Sequence, residues 1–345
     1  MKTVPTYMIF SSILMLLAFT SNAQPSSPKD LGLHESVIDS EELGEIHYYV
    51  TENKRDSLKP LLVYLDGSGS YPLFQTFEKG SLGSSVLLNF NELSADYHVV
   101  LISKPGVPFI EKMEFDEKRG RPIYDTPAEY HERLSLDWRV GAADAVIDDC
   151  LANLKVDSSK VAIIGLSEGY QVGASLLGKN KSITHSILMV GNGLNQFYDF
   201  VILNRMDVEK GKITPEEAQN NIDSLYQVFE DIYKYPTATD KFWYGHTYLR
   251  WASFCAVDPV DPIMASDIPV YMVICSDDTN TTAISADFVT LEAVRQNKKN
   301  IQTVVYPYNH SFRETVYNDD GEIVDKIDHM REVLDASLDW LKGME

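Results

Sequence analysis

The chain has 345 residues, which suits one large α/β domain that carries an insertion. It is 44% hydrophobic, so it can bury a sizeable core, and it carries 51 acidic against 30 basic residues. This balance argues against nucleic acid and anionic membrane surfaces as partners, and its plainest meaning is solubility.

The N-terminus has the pattern of a signal peptide. A short basic start with Lys2 precedes an apolar run over 7–19, and the small residues Ser21 and Ala23 fit a signal-peptidase site. Cleavage after Ala23 would remove 1–23 and export the chain, so we expect a secreted or periplasmic protein without a membrane partner in its mature form. The alternative is a retained anchor, but the run is shorter than the ~20 apolar residues of a membrane span.

Behind residues 24–44, interpreted as a leader, strand-like runs alternate with amphipathic helical stretches. This order is typical of a mostly parallel sheet covered by helices on both faces. A run at 45–50 predicts an added antiparallel edge strand, and further strands are expected at 60–65, 98–103, 160–165, 186–190, 268–274 and 301–306. Helices are expected at 140–154, after Ser167, and at the C-terminus, where one apolar face would comprise Ile327, Met330, Leu334, Leu338 and Leu341.

The pattern changes between 194 and 265, which we interpret as a helical cap insertion that divides the core into 45–193 and 266–345. Thr214-Pro215-Glu216-Glu217 forms a capping box with proline at the first helical position. The helix behind it is expected to bury Ile222, Leu225, Tyr226, Phe229 and Tyr233. An aromatic stretch over 242–251 follows, and it is either a lid over an acyl or aromatic pocket or the insertion's own small core.

The cysteines Cys150, Cys255 and Cys275 cannot all pair, because their number is odd. Cys150 and Cys275 fall on predicted buried faces, so we interpret them as small core side chains rather than a disulfide. The sequence has no Cys/His cluster with metal spacing, and it predicts neither a metal nor a cofactor.

Gly165-Leu166-Ser167-Glu168-Gly169 follows a buried strand and opens a helix, which is the setting of a nucleophile elbow. The bare pattern is weak evidence, and an ordinary glycine-rich turn is the alternative. In an elbow the backbone passes so close to the serine that a Cβ at Gly165 or Gly169 would clash. The turn also places the serine Oγ at a helix N-terminus, where partial positive charge favours an oxyanion. We therefore predict Ser167 as a nucleophile.

A nucleophilic serine needs a base, and in this topology the acid and the histidine follow it in the chain. His310 lies in the loop directly after the last predicted strand, whereas His329 is expected on the surface near the start of the terminal helix. His310 is therefore the predicted base. Asp277 and Asp278 both follow the strand at 268–274, and either could orient the histidine or cap the next turn.

From about Pro60 to Leu341 the chain resembles the α/β-hydrolases, and more narrowly secreted bacterial relatives of the prolyl-oligopeptidase catalytic domain and of the acyl-CoA thioesterase/dienelactone hydrolase group. The residues that carry the resemblance are 144–148, 156–169, Asp278 and His310. The resemblance favours Asp278 as the acid, because Asp278 stands where such proteins have D-x-x-V-P. Tyr170 departs from the family, which often has a small residue there, so the packing under the elbow must differ.

The same resemblance implies where the oxyanion hole lies. Asp66-Gly67-Ser68-Gly69 is similar to the H-G-x-x turn, so the donors would be the N–H groups of Ser68 and Glu168, although an ordinary tight turn is the alternative. The Glu168 carboxylate could bind a cationic group such as a free amino terminus, or it could only favour the helix dipole.

The function implied is hydrolysis of a small-molecule ester or thioester through an acyl-enzyme. Two alternatives stay open: a serine peptidase of the prolyl-oligopeptidase type that acts on small peptides, and a non-catalytic binding protein on a hydrolase scaffold.

Overall fold

The protein is described by a computed structural model that covers residues 15–17, 24–78, 80–116, 118 and 121–344. The predicted signal peptide therefore lies outside the described residues, except for a short strand at Met15–Leu17. The other strands are Leu33–Ser40 (β2), Gly44–Thr51 (β3), Lys59–Leu65 (β4), Phe74–Thr76 (β5), Leu82–Ser84 (β6), His98–Ile102 (β7), Ile110–Lys112 (β8), Glu114–Asp116 (β9), Arg121–Ile123 (β10), Val156–Leu166 (β11), His185–Met189 (β12), Phe242–Trp243 (β13), His246–Thr247 (β14), Val270–Cys275 (β15), Ile301–Tyr306 (β16), Arg313–Tyr317 (β17) and Ile323–Asp328 (β18), with Met15–Leu17 as β1.

The helices are Phe90–Leu93 (α1), Ala128–Arg133 (α2), Leu136–Asn153 (α3), Glu168–Lys179 (α4), Gln196–Glu209 (α5), Pro215–Lys234 (α6), Tyr248–Phe254 (α7), Val260–Ala265 (α8), Ala283–Arg295 (α9) and Met330–Gly343 (α10), with a 3-10 turn at Pro28–Leu31. No helix in the described part of the chain is long and apolar enough to cross a membrane.

The central sheet has the strand order β16-β15-β12-β11-β4-β7-β3-β2. The strands from β16 to β7 run parallel to one another, and β3 and β2 are antiparallel additions. The predicted mostly parallel sheet and its six parallel strands are confirmed. β11 lies in the middle of the sheet, paired with β4 on one side and β12 on the other. The C-terminal end of β11 therefore lies at the centre of the edge that is formed by the carboxyl ends of the parallel strands.

Helices cover both faces of this sheet, which explains why its strands are continuous apolar runs rather than alternating ones. On one face Val63 and Ile163 pack against α3 and α4, with Val146 among the buried contacts. On the other face Tyr64 and Ile164 pack in the same buried cluster as α10. Cys150 and Cys275 lie in these two cores, and all three cysteines are buried and unpaired, so their prediction as core side chains is confirmed.

The N-terminal part of the sheet differs from the prediction. The predicted edge strand is β3, but β2 pairs outside it, so β3 is interior and the 24–44 segment is not a leader throughout. Only Leu33 is fully buried in β2, whose other residues are half-buried or exposed. A two-sided polar strand of this kind gives almost no hydrophobic pattern, which is why the sequence did not reveal it.

The C-terminal helix begins at Met330, so the prediction of Ile327 on its apolar face is wrong. Ile327 belongs to β18, which pairs with β17 in a hairpin, and 43% of its side chain is exposed. The hairpin turns through Asn318 and Gly321, where Asn318 N–H donates to the carbonyl of Glu322 at 2.9 Å.

The 194–265 stretch forms α5 to α8 and the small β13–β14 hairpin, which agrees with the helices that the sequence predicts there. The capping box is confirmed: Glu217 N–H donates to Thr214 Oγ1 at 3.1 Å, and Thr214 N–H donates to Glu217 Oε2 at 2.8 Å. Tyr226 and Tyr233 were predicted to be buried on α6, but both are nearly half exposed. Their rings lie on the flank of the helix, since its buried stripe is formed by Ile222, Leu225, Phe229 and Ile232.

Candidate active site

Ser167 lies at the end of β11 and is the residue from which α4 starts. Its backbone has φ +55° and ψ −114°, a conformation that residues other than glycine rarely adopt. The N–H of Ser167 donates to the carbonyl of Met189 at 3.0 Å, which ties the turn to the end of β12. Such strain persists only where the surrounding structure enforces it, and it is typical of functional sites.

The two glycines of the turn allow this close backbone approach. A Cβ on Gly165 would lie 2.2 Å from the carbonyl oxygen of Gly169, and a Cβ on Gly169 would lie 2.0 Å from that of Leu65. The prediction that a side chain at either position would clash is confirmed. The bulk of Tyr170 is accommodated by Gly191 after β12, where a Cβ would lie 2.0 Å from the Cγ of Tyr170.

A chain of hydrogen bonds runs from Ser167 to His310 and on to Asp278. The Nε2 of His310 lies 3.0 Å from the Oγ of Ser167, and its Nδ1 lies 2.7 Å from the Oδ2 of Asp278. A carboxylate only accepts, so Nδ1 carries the proton and Nε2 is left to accept from the serine hydroxyl. The structure thus brings together the three side chains predicted from sequence.

The Asp278 carboxylate is held by its own loop. Its Oδ1 accepts from the N–H groups of Asn280 at 2.7 Å and Thr281 at 3.0 Å, and its Oδ2 accepts from the Thr281 hydroxyl at 2.8 Å. Asp278 is buried, whereas the neighbouring Asp277 is exposed to solvent. His329 is also remote from Ser167, because it begins α10, stacks on Tyr308 and contacts acidic side chains of β17 and α10.

The predicted oxyanion loop lies against the serine. A Cβ on Gly67 would be 3.5 Å from the Cβ of Ser167 and 4.0 Å from its Oγ. Ser68 and Glu168 both line a cavity together with Ser167 and His310. The N–H of Glu168 is the first in α4 and has no acceptor within the helix. No acceptor for the N–H of Ser68 occurs among the described residues either.

Lys104, two residues after the end of β7, holds this loop in place. Its Nζ donates to the carbonyl of Gly67 at 2.5 Å and to that of Gly69 at 2.9 Å, and it pairs with Asp66 Oδ2 at 2.7 Å. The lysine is buried, and burial lowers its pKa while the Asp66 carboxylate opposes that shift. In the sequence, Lys104 only marked the end of a strand.

The side chain of Glu168 points into the protein, where two arginines pair with it. Arg139 of α3 reaches Oε1 at 3.0 Å, and Arg250 of α7 reaches Oε2 at 2.8 Å. Burial by itself raises the pKa of Glu168, but the charges of Arg250, Arg139 and Lys104 outweigh it and bring the pKa to about 2. The carboxylate is thus neither free to bind a substrate amine nor a solvated first-turn residue.

The cavity in front of Ser167 is small, about 60 Å³. The core contributes Tyr71 and Leu87 to its wall, and the insertion contributes Phe200 and Trp251. The same two insertion residues pack in an aromatic cluster with Phe197, so the aromatic stretch forms a core of its own and also reaches the cavity. Within the described residues there is no cluster of His, Cys, Asp or Glu that could hold a metal ion.

Comparisons with known proteins agree at the level of the fold. No protein-family model matches the sequence, and no curated protein matches it. Est1E from Butyrivibrio proteoclasticus is similar in structure, with a TM-score of 0.51 and 12% identity over 89% of this chain and 97% of its own. A puromycin-hydrolyzing peptidase from Mycobacterium tuberculosis has a TM-score of 0.50 and 14% identity over 81% of this chain and 36% of its own. The present chain thus spans about a third of that peptidase, and the fold of the chain is that of the α/β-hydrolases.

Proposed function

We propose that the protein is a serine hydrolase that cleaves an ester or thioester with a small acyl group through an acyl-enzyme. The observation that carries this proposal is the hydrogen-bond chain from Ser167 through His310 to Asp278, set on a strained turn at the carboxyl edge of the sheet. An unactivated hydroxyl is a weak nucleophile at neutral pH, and an adjacent base held by a third group is the arrangement that activates it.

In the proposed reaction, Ser167 Oγ attacks the substrate carbonyl carbon while His310 Nε2 takes the hydroxyl proton. The carbonyl oxygen becomes an oxyanion that accepts from the N–H groups of Ser68 and Glu168. When the tetrahedral intermediate collapses, the bond to the leaving alcohol or thiol breaks and His310 returns the proton to it. Water, deprotonated by His310, then attacks the acyl-enzyme in the same way and releases the acid. Asp278 keeps the imidazole oriented and stabilises its protonated form.

Two features favour a small ester or thioester over a peptide. A cavity of about 60 Å³ in front of the serine favours a short acyl group. The acidic side chains that line it, Asp66 and Glu168, are both engaged by buried cations, so neither is available to bind a free amino terminus. The resemblance in fold to Est1E and to a peptidase does not decide between these activities, because substrate choice depends on the loops and the insertion.

A labelling experiment tests the nucleophile. A fluorophosphonate probe should modify the wild-type protein and leave Ser167→Ala unmodified. The matched control is Ser175→Ala, the same change in the same helix at a position away from the cavity, which should label like wild type. Absence of labelling in a folded wild-type protein would favour a binding protein on a hydrolase scaffold.

A substrate panel tests the class of reaction. Hydrolysis should be fastest for acetyl and propionyl nitrophenyl esters or the matching thioesters, and should fall for longer acyl chains. Aminoacyl-nitroanilides should be cleaved slowly or not at all. A preference for the anilides would assign the same three side chains to a peptidase.

We also propose that the chain is exported and that the mature protein begins at Gln24. The basis is the apolar run over 7–19 with the small residues Ser21 and Ala23 before the cleavage point. Mass spectrometry of the protein expressed with its own N-terminus should show Gln24 first. Retention of Met1 in membrane-bound material would favour an anchor instead.

A further inference from the structure

Five charged side chains form a buried network behind the two proposed oxyanion donors. This charge network consists of Asp66, Lys104, Arg139, Glu168 and Arg250, and none of these side chains is more than 8% exposed. Burying ions is costly, and replacing such groups by apolar side chains often leaves stability unchanged or improves it. Stability therefore gives a weak reason for a network at this position, and its geometry indicates a second role.

Arg139 joins the two backbone segments that carry the donors. Its NH2 group donates to Asp66 twice, to the carbonyl oxygen at 3.1 Å and to Oδ1 at 2.8 Å, while its NH1 group donates to Glu168 Oε1 at 3.0 Å. Asp66 lies two residues before Ser68, and Glu168 supplies the other donor itself. One planar guanidinium therefore spans both sides of the proposed oxyanion hole, and its fixed fork of donors defines their separation.

The rest of the network fixes each side separately. Lys104 binds the carbonyls of Gly67 and Gly69, the residues on either side of Ser68. Arg250 holds the second carboxylate oxygen of Glu168, with Nε at 3.2 Å and NH2 at 2.8 Å. Arg139 alone bonds to both acidic residues of the network, and it is not among the described residues that line the cavity. Any effect of Arg139 on catalysis thus has to act through the residues that it holds.

The charge of the network has the sign that the reaction requires. Three cations against two carboxylates leave a formal charge of +1 next to the N–H groups of Ser68 and Glu168. A fixed positive excess in a buried site stabilises negative charge that develops on the substrate, without reorganisation at the moment of reaction.

We propose that Arg139 is a positioning residue for the oxyanion hole, which fixes the Ser68 and Glu168 N–H groups at the spacing that a tetrahedral oxyanion needs. This inference rests on the proposed function, because it assigns Arg139 to the transition state of that reaction. It predicts that Arg139 contributes more to the stabilisation of the oxyanion in the transition state than to the binding of the ester. The reason is that the ground-state carbonyl accepts weaker hydrogen bonds at this position.

The test compares Arg139→Lys and Arg139→Gln with the wild type. Glutamine has only two N–H donors and lysine has its three on a single nitrogen, so neither reproduces the two-nitrogen fork with which Arg139 reaches Asp66 and Glu168, and only lysine keeps the charge. For a short acyl ester we expect kcat to fall about tenfold to a hundredfold in both, less than the 10²–10³ loss seen when an oxyanion donor itself is removed. KM should change little, and the affinity for a trifluoromethyl ketone, which forms an oxyanion on Ser167, should fall by the same factor as kcat.

The matched control is Asn180→Ala. It removes the 2.8 Å bond from Asn180 Nδ2 to Asp144 Oδ1, which also joins α3 to α4 but lies away from the cavity. This variant should lose stability while keeping wild-type kcat and wild-type affinity for the ketone.

The outcomes separate the two proposals. If the wild type fails to react with the fluorophosphonate probe, the proposed function fails. If the wild type reacts but both Arg139 variants keep kcat and ketone affinity, the positioning role is overturned and the hydrolase function stands. Failure of both variants to fold, judged by circular dichroism, would assign Arg139 to stability and would overturn the positioning role as well.

Discussion

At the scale of single residues, the proposed catalytic side chains were predictable and the side chains that support them were not. Ser167, His310 and Asp278 come from three separate loops, but each follows a predicted strand, and parallel strands bring their carboxyl ends to one edge. No such rule links Arg139 and Arg250 to Glu168. One signal was present: Arg139 lies three residues after Leu136 and four before Ala143, on the apolar stripe of α3, where an arginine requires a buried partner.

We predict that Asp278, and not the adjacent Asp277, is the carboxylate that orients His310. Asp278→Asn should reduce kcat/KM strongly, because an amide cannot hold His310 in the tautomer that accepts the serine proton. Asp277→Asn should stay within about twofold of the wild type, since Asp277 is exposed and surface substitutions are usually mild. The measurement is kcat/KM of both variants on the same ester, side by side. A strong loss of kcat/KM in Asp277→Asn, with kcat/KM of Asp278→Asn near that of the wild type, would identify Asp277 as the acid.

At the scale of elements, the insertion is hydrogen-bonded to the core around the proposed nucleophile, Ser167. Arg250 of α7 pairs with Glu168, Gln196 of α5 accepts from Arg250 at 2.9 Å, and Gln171 of α4 donates to the carbonyl of Phe254. The N–H of Leu136 also donates to Ser253 Oγ at 3.0 Å. These bonds fix α5 and α7 relative to Ser167, so the aromatic residues of the two helices define the size of the cavity that we propose as the acyl pocket.

This arrangement predicts that Phe200 limits acyl chain length. Phe200→Ala removes a ring from the cavity wall, so the ratio of kcat/KM for hexanoyl over acetyl ester should rise about tenfold, which corresponds to one or two newly accommodated methylenes. The matched control is Phe229→Ala, which removes a ring of the same aromatic cluster that stacks on Phe197 at 3.9 Å and is not among the described residues that line the cavity. Both variants should lose stability, by about 3 kcal/mol for a buried phenylalanine. An equal rise in both would mean that the insertion loosens as a whole and that Phe200 has no specific role.

At the scale of the whole molecule, the sequence predicted the layers and the strands that build the site, and it missed the additions at the periphery. Central strands such as β11 carry long apolar runs because both faces are buried. β2 and the β17–β18 hairpin lie outside the main core, and their side chains are largely half-buried or exposed. Without a buried face there is no two-residue periodicity to detect, so pairing in these strands becomes visible only in the structure.

The stability of the whole molecule should also depend on pH through one buried carboxyl. Asp199 of α5 accepts from the N–H and the hydroxyl of Thr282 at 3.0 and 2.7 Å, and from Asn192 Nδ2 at 3.1 Å. Burial raises its pKa from 3.8 to about 7 in spite of these hydrogen bonds, and the nearby Asp278 charge adds to the shift. Asp199 therefore links the insertion to the loop of the proposed catalytic acid through a group that titrates near neutral pH.

The sign of the effect follows from proton binding. Between pH 4 and pH 7, roughly, the native carboxyl holds its proton while the unfolded one has lost it, so the native state binds more protons and its stability falls as the pH rises. The loss through this group should total a few kcal/mol, at ~1.4 kcal/mol for each unit of pKa shift. Asp199→Asn removes the titration, so denaturant unfolding at pH 5 and pH 8 should show that the variant gains stability relative to the wild type at the higher pH. Glu209→Gln, an exposed acidic position at the end of the same helix, is the control and should differ from the wild type equally at both pH values. If Asp199→Asn also differs from the wild type by the same amount at both pH values, the native Asp199 carboxyl does not titrate between pH 5 and pH 8, which would contradict a pKa of about 7.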